Sequence, residues 1–172
     1  MAKTIFITGG ARSGKSRLAE ELALNFGAPL CYIATGEARD DEMAERIAEH
    51  QRRRGDAWLT VEEPLRITEV ISEANGRYQA ILVDCITLWI ANLLLRHHAV
   101  EPVLREVEAL TCLFPTLQTP LIVVSNEVGM GIVPENALAR SYRDLAGRTN
   151  QILARAASEV YVTFAGLPMK LK

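Results

Sequence analysis

A glycine-rich stretch close to the N-terminus has the composition and spacing of a phosphate-binding loop. From Gly9 to Ser16 the chain fits the pattern G-x-x-x-x-G-K-S/T. Glycines let backbone N–H groups approach phosphate oxygens, and the helix that follows would add its positive N-terminal end. Lys15 would reach the β- and γ-phosphates, while the Ser16 hydroxyl would help to hold Mg²⁺. The loop residues predicted to bind a nucleoside triphosphate are Gly9, Gly10, Ala11, Arg12, Ser13, Gly14, Lys15 and Ser16.

An acidic residue at the end of a later apolar strand complements this loop. Asp84 directly follows the run Ala80–Val83. Strands that end in an acid are common, but beside a phosphate loop such a carboxylate orients Mg²⁺ directly or through water. Ser16 and Asp84 are therefore the predicted metal ligands. Neither feature indicates which base is bound or where the phosphate goes.

Apolar runs alternate with helical patterns along the chain, which is typical of an α/β fold. Runs that are apolar at every position indicate strands buried on both faces of a mainly parallel sheet flanked by helices. The predicted strands are Thr4–Thr8, Leu30–Ala34, Trp58–Val61, Ile81–Cys85, Leu121–Ser125 and Val160–Phe164, with a C-terminal edge strand at Met169–Lys172. The predicted helices are Ser16–Asn25, one carrying Met43, Ile47 and His50, then Leu65–Asn75, Leu88–Leu95, Val103–Phe114 and Ala137–Glu159.

Length and composition predict one globular domain over residues 1–172. The chain is 49% hydrophobic and 23% charged, which is ordinary for such a domain. Its net charge of −2 gives no electrostatic basis for binding nucleic acid. No apolar run approaches the roughly 18 residues that a membrane span needs. Three cysteines without C-x-x-C spacing favour a reducing, cytoplasmic setting over a disulfide framework or a zinc site.

His50 lies on one face of a predicted amphipathic helix and has basic neighbours. Met43, Ile47 and His50 share that face, and Arg46 lies one turn before His50. The run Arg52–Arg54 follows at the end of the helix, where cations are favourable. On this pattern alone an ordinary amphipathic helix with solvated arginines is favoured over a catalytic histidine.

Two further stretches are candidates for contacts. Leu88–Leu95 is more apolar than a single helix face requires, so it is either a core helix or a subunit contact. Asn126–Asn136 is a long loop at the predicted carboxyl edge of the sheet, where binding residues are usually found.

Four blocks of the sequence and its tail carry a resemblance to a known family. The blocks are Thr8–Ser16, then Tyr32–Thr35 with Asp40–Met43, Arg46, Ile47 and His50, then Asp84–Thr87 and Asn126–Asn136, and the tail is Arg143–Gln151. Together they resemble the bifunctional adenosylcobinamide kinase/adenosylcobinamide-phosphate guanylyltransferase family of cobalamin biosynthesis. The similarity spans nearly the full length; the first block is shared with many P-loop proteins, whereas the second and fourth blocks are specific.

The resemblance implies a RecA-like P-loop fold, a homotrimer and two reactions. One is phosphorylation of the adenosylcobinamide hydroxyl by ATP or GTP. In the other, a histidine that matches His50 takes GMP from GTP, expels pyrophosphate and passes GMP to adenosylcobinamide phosphate, giving adenosylcobinamide-GDP. The corrinoid, ATP and GTP are thus the implied substrates. Together with this resemblance, the further residues predicted to bind nucleotide are Ala34, Thr35, Gly36, Gln51, Arg52, Arg53, Arg54, Glu62 and Asp84.

Two alternatives share the phosphate loop but do not need His50. One is a simple P-loop small-molecule kinase without a covalent step. The other is a non-enzymatic P-loop switch that drives a partner. The sequence does not decide between ATP and GTP in the kinase step, nor does it place the corrinoid site.

Overall fold

The structure, a computed structural model, describes residues 2–36 and 55–172. Seven strands of this part form one sheet in the order β3-β2-β4-β5-β1-β6-β7. The strands are β1 (Thr4–Gly9), β2 (Leu30–Ala34), β3 (Trp58–Glu62), β4 (Ala80–Asp84), β5 (Leu121–Val124), β6 (Glu159–Phe164) and β7 (Leu167–Lys170). The α-helices are α1 (Lys15–Leu24), α2 (Ile67–Ala74), α3 (Ile86–His97), α4 (Val100–Leu113) and α5 (Ala137–Ala156). The first six strands pair in parallel and β7 pairs antiparallel with β6, so the predicted α/β fold is confirmed.

Four inner strands of the sheet, β1, β2, β4 and β5, are buried on both faces, which explains their continuously apolar sequences. Alternate residues of a strand face opposite sides. On β1, Ile5 and Ile7 pack with α1, whereas Phe6 faces the larger core formed with α2, α3, α4 and α5. Burial of apolar surface on both sides is the main stabilising contribution to this layered arrangement.

The apolar α3 is a core helix over most of its length. Trp89, Ile90 and Leu93 are buried, and the indole of Trp89 donates to the Leu65 carbonyl at 2.8 Å. Exposure is greatest in the last turn, where Leu95 is 48% exposed. The sequence left two explanations open for this apolar stretch, a core helix and a subunit contact. Burial in the core of the chain is sufficient to explain it.

Several predicted boundaries were wrong by a few residues, each for a local reason. Helix α4 begins at Val100 and not after Pro102, because proline is tolerated in the first turn of a helix. Helix α5 ends at Ala156 and not at Glu159, because the chain becomes extended at Ala157 and Glu159 already opens β6. The charged Glu159 belongs to the sheet because it pairs opposite Ile5 of β1.

The C-terminal edge strand is confirmed, but it begins at Leu167 and not at Met169. The turn consists of Ala165 and Gly166, both with positive φ, which is the requirement of the two-residue turn that matches strand twist. Leu167 and Pro168 therefore lie in β7 and not in the turn. Pro168 is tolerated there because an edge strand leaves one side of its backbone unpaired.

Across the two described ranges, the structure contains no helix with the length and hydrophobicity that a bilayer span requires. The predicted helix with Met43, Ile47 and His50, and the following residues Gln51, Arg52, Arg53 and Arg54, lie outside the described residues.

Candidate nucleotide-binding site

Strand register brings the predicted site residues to one edge of the sheet. Ile7 and Asp84 both pair with Val124, and Asp84 also pairs with Ala34. Ala34 in turn pairs with Glu62 at the end of β3. Since parallel strands end at the same edge, the phosphate loop, Asp84, Thr35 and Glu62 follow one another along it.

The backbone of the phosphate loop adopts conformations that require glycine. Gly14 has φ 95° immediately before α1, and Gly9 has φ 155° at the end of β1. A β-carbon on Gly9 would lie 2.5 Å from Thr163 Oγ1 and 2.6 Å from Ser13 Oγ. Glycine is thus required at Gly9 both by backbone conformation and by the close approach of β6.

Lys15 is held inside this loop. Its ammonium donates to the Gly10 carbonyl at 2.9 Å, and the residue is 8% exposed. Burial lowers the pKa of Lys15 below its ordinary value near 10.5, and the nearby Asp84 carboxylate offsets part of that effect. A partly desolvated ammonium beside backbone N–H groups is suited to bind the oxygens of a polyphosphate.

Asp84 is positioned by a buried threonine. The Thr35 hydroxyl donates to the Cys85 carbonyl at 2.7 Å and accepts from the Cys85 N–H at 2.9 Å. These two bonds connect the end of β2 to the residue that follows Asp84. The structure therefore gives the Thr35 side chain a positioning contact, with Asp84 itself left half-buried at the edge.

Cys85 beside Asp84 is a poor nucleophile. Burial and the Asp84 charge raise the pKa of Cys85 to about 11, so the side chain is a neutral thiol at physiological pH. The chemistry of this edge consequently depends on Lys15, the hydroxyls and the carboxylates.

Ser16 and Asp84 have the donor chemistry that a magnesium ion requires. Ser16 lies in the first turn of α1, partly exposed, and supplies a hydroxyl oxygen. Asp84 supplies a carboxylate. Mg²⁺ prefers oxygen ligands and is usually bound by one or two protein groups together with substrate phosphates. These two residues could therefore hold the ion when a nucleotide is bound.

The remaining predicted residues differ in exposure. Ala11, Arg12 and Glu62 are exposed, and Gly36, which lies shortly after the end of β2, is partly exposed. The neighbouring Glu63 acts differently from Glu62, since its carboxylate accepts from the N–H groups of Leu65 and Arg66 before α2.

Sequence reasoning missed the C-terminal residues that support the phosphate loop. The hydroxyls of Ser13 and Thr163 are 2.7 Å apart, and the Gly166 N–H donates to the Ser13 carbonyl at 2.9 Å. A β-carbon on Gly14 would lie 3.1 Å from the α-carbon of Gly166. A glycine such as Gly166 indicates a turn in the sequence. Nothing in its neighbourhood, however, indicates that this turn contacts the phosphate loop, about 150 positions earlier.

The loop Asn126–Asn136 begins in a buried polar network. The Ser125 hydroxyl donates to Asn150 Oδ1 at 2.7 Å, and Asn150 donates to Glu127 Oε1 at 3.0 Å. The Asn126 N–H donates to Thr87 Oγ1 at 2.8 Å. The start of the loop is thereby fixed to both α3 and α5.

Further along, the same loop is exposed and apolar. Met130 is 76% exposed and Ile132 97% exposed. Beside it, Arg143 donates to the Gly129 carbonyl at 2.7 Å. An open groove of about 450 Å³ lies here, lined by Gly129, Arg143, Asp144, Gly147, Arg148 and Gln151. The binding role predicted for this loop stays a prediction.

Solved structures share this architecture at low sequence identity. A KaiC-like protein from Pyrococcus horikoshii OT3 matches with a TM-score of 0.53 and 14% identity, over 93% of this chain and 70% of that one. A RadB recombinase matches with a TM-score of 0.53 and 15% identity, over 93% and 73%. The fold and the loop Gly9–Ser16 thus define a RecA-like P-loop protein.

The sequence narrows this class to one family. A profile described as cobinamide kinase / cobinamide phosphate guanyltransferase matches residues 5–171, and the chain belongs to this family. It is 48% identical to the bifunctional adenosylcobalamin biosynthesis protein CobP of Pseudomonas aeruginosa, over 96% of this chain and 95% of that protein. It is also similar to the proteins named CobU of Escherichia coli (41%) and Salmonella typhimurium (42%), each over 98% of this chain and 99% of the relative. The resemblance drawn from the sequence is confirmed.

Proposed function

We propose that this protein catalyses both reactions of its family. It phosphorylates the hydroxyl of adenosylcobinamide with ATP or GTP, and it transfers GMP from GTP to adenosylcobinamide phosphate, giving adenosylcobinamide-GDP. The observation that carries the proposal is the family match over residues 5–171 in a chain whose phosphate loop and Asp84 share one edge. A simple P-loop kinase or a nucleotide switch would also have the phosphate loop and Asp84 at one edge, but it would not match this family.

In this proposal the phosphate loop serves both reactions in the same way. Lys15 and the loop amides bind the β- and γ-phosphates, and the rigid backbone holds the nucleotide in line for attack. For the kinase, the γ-phosphorus faces the substrate hydroxyl. For the guanylyltransferase, the same contacts stabilise the departing pyrophosphate.

His50 is the proposed nucleophile of GMP transfer. A neutral ring nitrogen attacks the α-phosphorus of GTP, the bond to the β-phosphate oxygen breaks, and pyrophosphate leaves with the electron pair. An oxygen of adenosylcobinamide phosphate then attacks the same phosphorus and displaces the imidazole. Arg46 and Arg52–Arg54 neutralise phosphate charge during these steps. These assignments rest on the sequence, since the residues lie outside the described ranges.

Further parts of the proposal concern the remaining nucleotide contacts, the metal and the assembly. Gln51, Glu62 and the turn Ala34–Gly36 complete the proposed nucleotide site. Ser16 and Asp84 would hold Mg²⁺, which on binding shields phosphate charge. The protein would act in the cytoplasm as a homotrimer, and light scattering of the purified protein at several concentrations checks the assembly.

Transfer of label from GTP tests the covalent step. The protein is incubated with Mg²⁺ and GTP labelled in the α-phosphate, then denatured. We expect label on the protein that is labile in acid and stable in alkali, as a phosphoramidate is. The variant His50→Ala should carry no label. A protein that stays unlabelled while it phosphorylates adenosylcobinamide would instead be a simple kinase.

A second histidine provides the matched control. His97 is exposed in the last turn of α3, far along the chain from the proposed nucleophile. The variant His97→Ala should be labelled as strongly as the wild type. Loss of label in His97→Ala, or its retention in His50→Ala, would contradict the assignment of the nucleophile.

A further inference from the structure

Glu127 places a second carboxylate at the phosphate loop, on the same side of the loop as Asp84. Strand β5 runs between β1 and β4, so the residues that follow it emerge between the phosphate loop and Asp84. The Glu127 N–H donates to the Gly9 carbonyl at 3.0 Å, which fixes its backbone to the first glycine of the loop.

One oxygen of this carboxylate is fixed by two donors. Oε1 accepts from Thr8 Oγ1 at 2.8 Å and from Asn150 Nδ2 at 3.0 Å. Asn150 is itself oriented by Ser125 and also donates to the Asn126 carbonyl at 3.2 Å. The carboxylate is therefore held from the strand side and from the helix side, and its orientation is determined before any substrate binds.

The other oxygen is available for chemistry. Within residues 2–36 and 55–172, no hydrogen-bond donor reaches Glu127 Oε2, and the residue is only half-buried. A carboxylate beside a polyphosphate site costs electrostatic repulsion, and a glutamine could accept the same two hydrogen bonds from Thr8 and Asn150. The negative charge at this position therefore indicates a function that an amide cannot supply.

We propose that Glu127 accepts the proton of the substrate hydroxyl in the phosphoryl transfer. The inference rests on the kinase activity proposed above. The hydroxyl oxygen forms a bond to the γ-phosphorus, and the bond from that phosphorus to the β-phosphate oxygen breaks. The electron pair leaves with the nucleoside diphosphate, and the hydroxyl proton passes to Glu127 Oε2. Proton acceptors of this kind contribute roughly 10²- to 10⁴-fold to a rate.

The guanylyl transfer has no need of this proton acceptor. The neutral imidazole of His50 attacks through a lone pair. The second nucleophile is a phosphate monoester, which is largely ionised at neutral pH because its second pKa is about 6. Glu127 is thus assigned to one reaction and His50 to the other, so the two reactions can be separated by substitution.

The variant Glu127→Gln tests this separation. Phosphate transfer from γ-labelled ATP to adenosylcobinamide is measured over a range of ATP concentrations, and protein labelling is measured with α-labelled GTP. We expect kcat of the kinase to fall about 100-fold or more, with KM for ATP changed by less than about threefold. Labelling of the protein should remain at the wild-type level, which also shows that the variant is folded.

The outcomes distinguish this inference from the function on which it rests. A wild type that phosphorylates no adenosylcobinamide overturns the proposed kinase activity, and with it this inference. An active wild type whose Glu127→Gln variant keeps more than a tenth of kcat overturns the role of Glu127 alone. A variant with a raised KM and normal kcat would show that Glu127 only shapes the loop, which also overturns the proposal.

Two further variants serve as a control and as a second test. Glu101→Gln makes the same substitution on the exposed first turn of α4 and should leave both reactions unchanged. Glu127→Asp keeps the charge but withdraws the carboxylate by one methylene group. If Glu127→Gln fails to fold, Glu127→Asp decides, because a positioned acceptor requires its kcat to fall and wild-type kcat would overturn the proposal.

Discussion

Burial of Lys15 lowers the stability of the folded protein but places its charge where a nucleotide would bind. Its ammonium is removed from water and satisfied by one carbonyl at 2.9 Å. Burial lowers the pKa of Lys15, so the protonated side chain opposes folding at every pH below that lowered value. The cost diminishes as pH rises toward 10.5 and the side chain becomes neutral in both states. A bound triphosphate would offset the same cost.

The variant Lys15→Met should therefore separate the two effects. We expect its free energy of unfolding without nucleotide to equal or exceed the wild-type value at pH 7, with the difference shrinking toward pH 10. Nucleotide affinity should fall about 10- to 100-fold, since a hydrogen bond to a charged group contributes roughly 1.5–3 kcal/mol. Denaturant unfolding and calorimetric titration with GTP measure both quantities. A variant that is less stable at pH 7 and binds GTP normally would refute this account.

At the residue scale, local pattern was enough to find the chemistry of the phosphate loop. The spacing of Gly9, Gly14 and Lys15 carries its own physical meaning, because each residue acts on its immediate backbone surroundings. The function of Thr35 was not accessible in this way. Its hydroxyl bonds to Cys85, 50 residues away, and that contact exists only because β2 and β4 are neighbours.

At the element scale, the hairpin of β6 and β7 supports the phosphate loop. Ser13 is hydrogen-bonded to Thr163 and Gly166, and Gly9 pairs with Thr163 in the sheet. A β-carbon on Gly14 would lie only 3.1 Å from Gly166. Thr163 is 1% exposed, and Ser13 is 7% exposed, so the hydrogen bond between their hydroxyls is shielded from water. Unpaired buried hydroxyls are costly, and the loop conformation consequently depends on this strand.

The variant Thr163→Val tests that dependence. It keeps the shape of the side chain but leaves the Ser13 hydroxyl without this partner, which should destabilise the protein by about 1–3 kcal/mol. Nucleotide affinity should fall several-fold because the loop is less well ordered before binding. Thr163→Ser keeps the hydroxyl and should bind nucleotide like the wild type. Equal affinities in Thr163→Val and Thr163→Ser would show that the hairpin does not order the loop.

At the scale of the whole molecule, Glu159 joins the two ends of the chain. Its carboxylate lies 2.7 Å from Lys3 Nζ before β1 and 3.3 Å from Lys170 Nζ in β7. Tyr161 also donates to it at 2.9 Å. The hydrogen bond from Lys3, chiefly, lowers the pKa of Glu159 from 4.5 to about 2. A lowered pKa means that the folded state favours the ionised carboxylate.

This arrangement predicts a pH dependence of global stability. The contribution of Glu159 is complete above about pH 4.5 and is lost as pH falls toward about 2. Glu159→Gln should therefore be less stable than the wild type at pH 7, by about 1 kcal/mol since both lysines are half-exposed. The difference should vanish near pH 2–3 in denaturant titrations.

The pair of Glu21 with Arg17 supplies the control, because it is exposed and lies within α1. Glu21→Gln should change stability by less than about 0.5 kcal/mol at pH 7. A Glu159→Gln effect no larger than that of Glu21→Gln, or one that persists unchanged at low pH, would contradict the role of Glu159 in joining the chain ends.

Linear pattern was sufficient to predict the strands, the parallel sheet, the phosphate loop and the family, because periodicity and motif spacing are properties of neighbouring residues. Only the tertiary structure decided that β5 lies between β1 and β4, and hence that Glu127 is fixed to Gly9. It likewise decided that Thr163 and Gly166 support a loop formed at the other end of the chain. Such contacts depend on the order of the strands in the sheet. That order is determined by packing of the whole core and cannot be recognised in any single segment of the sequence.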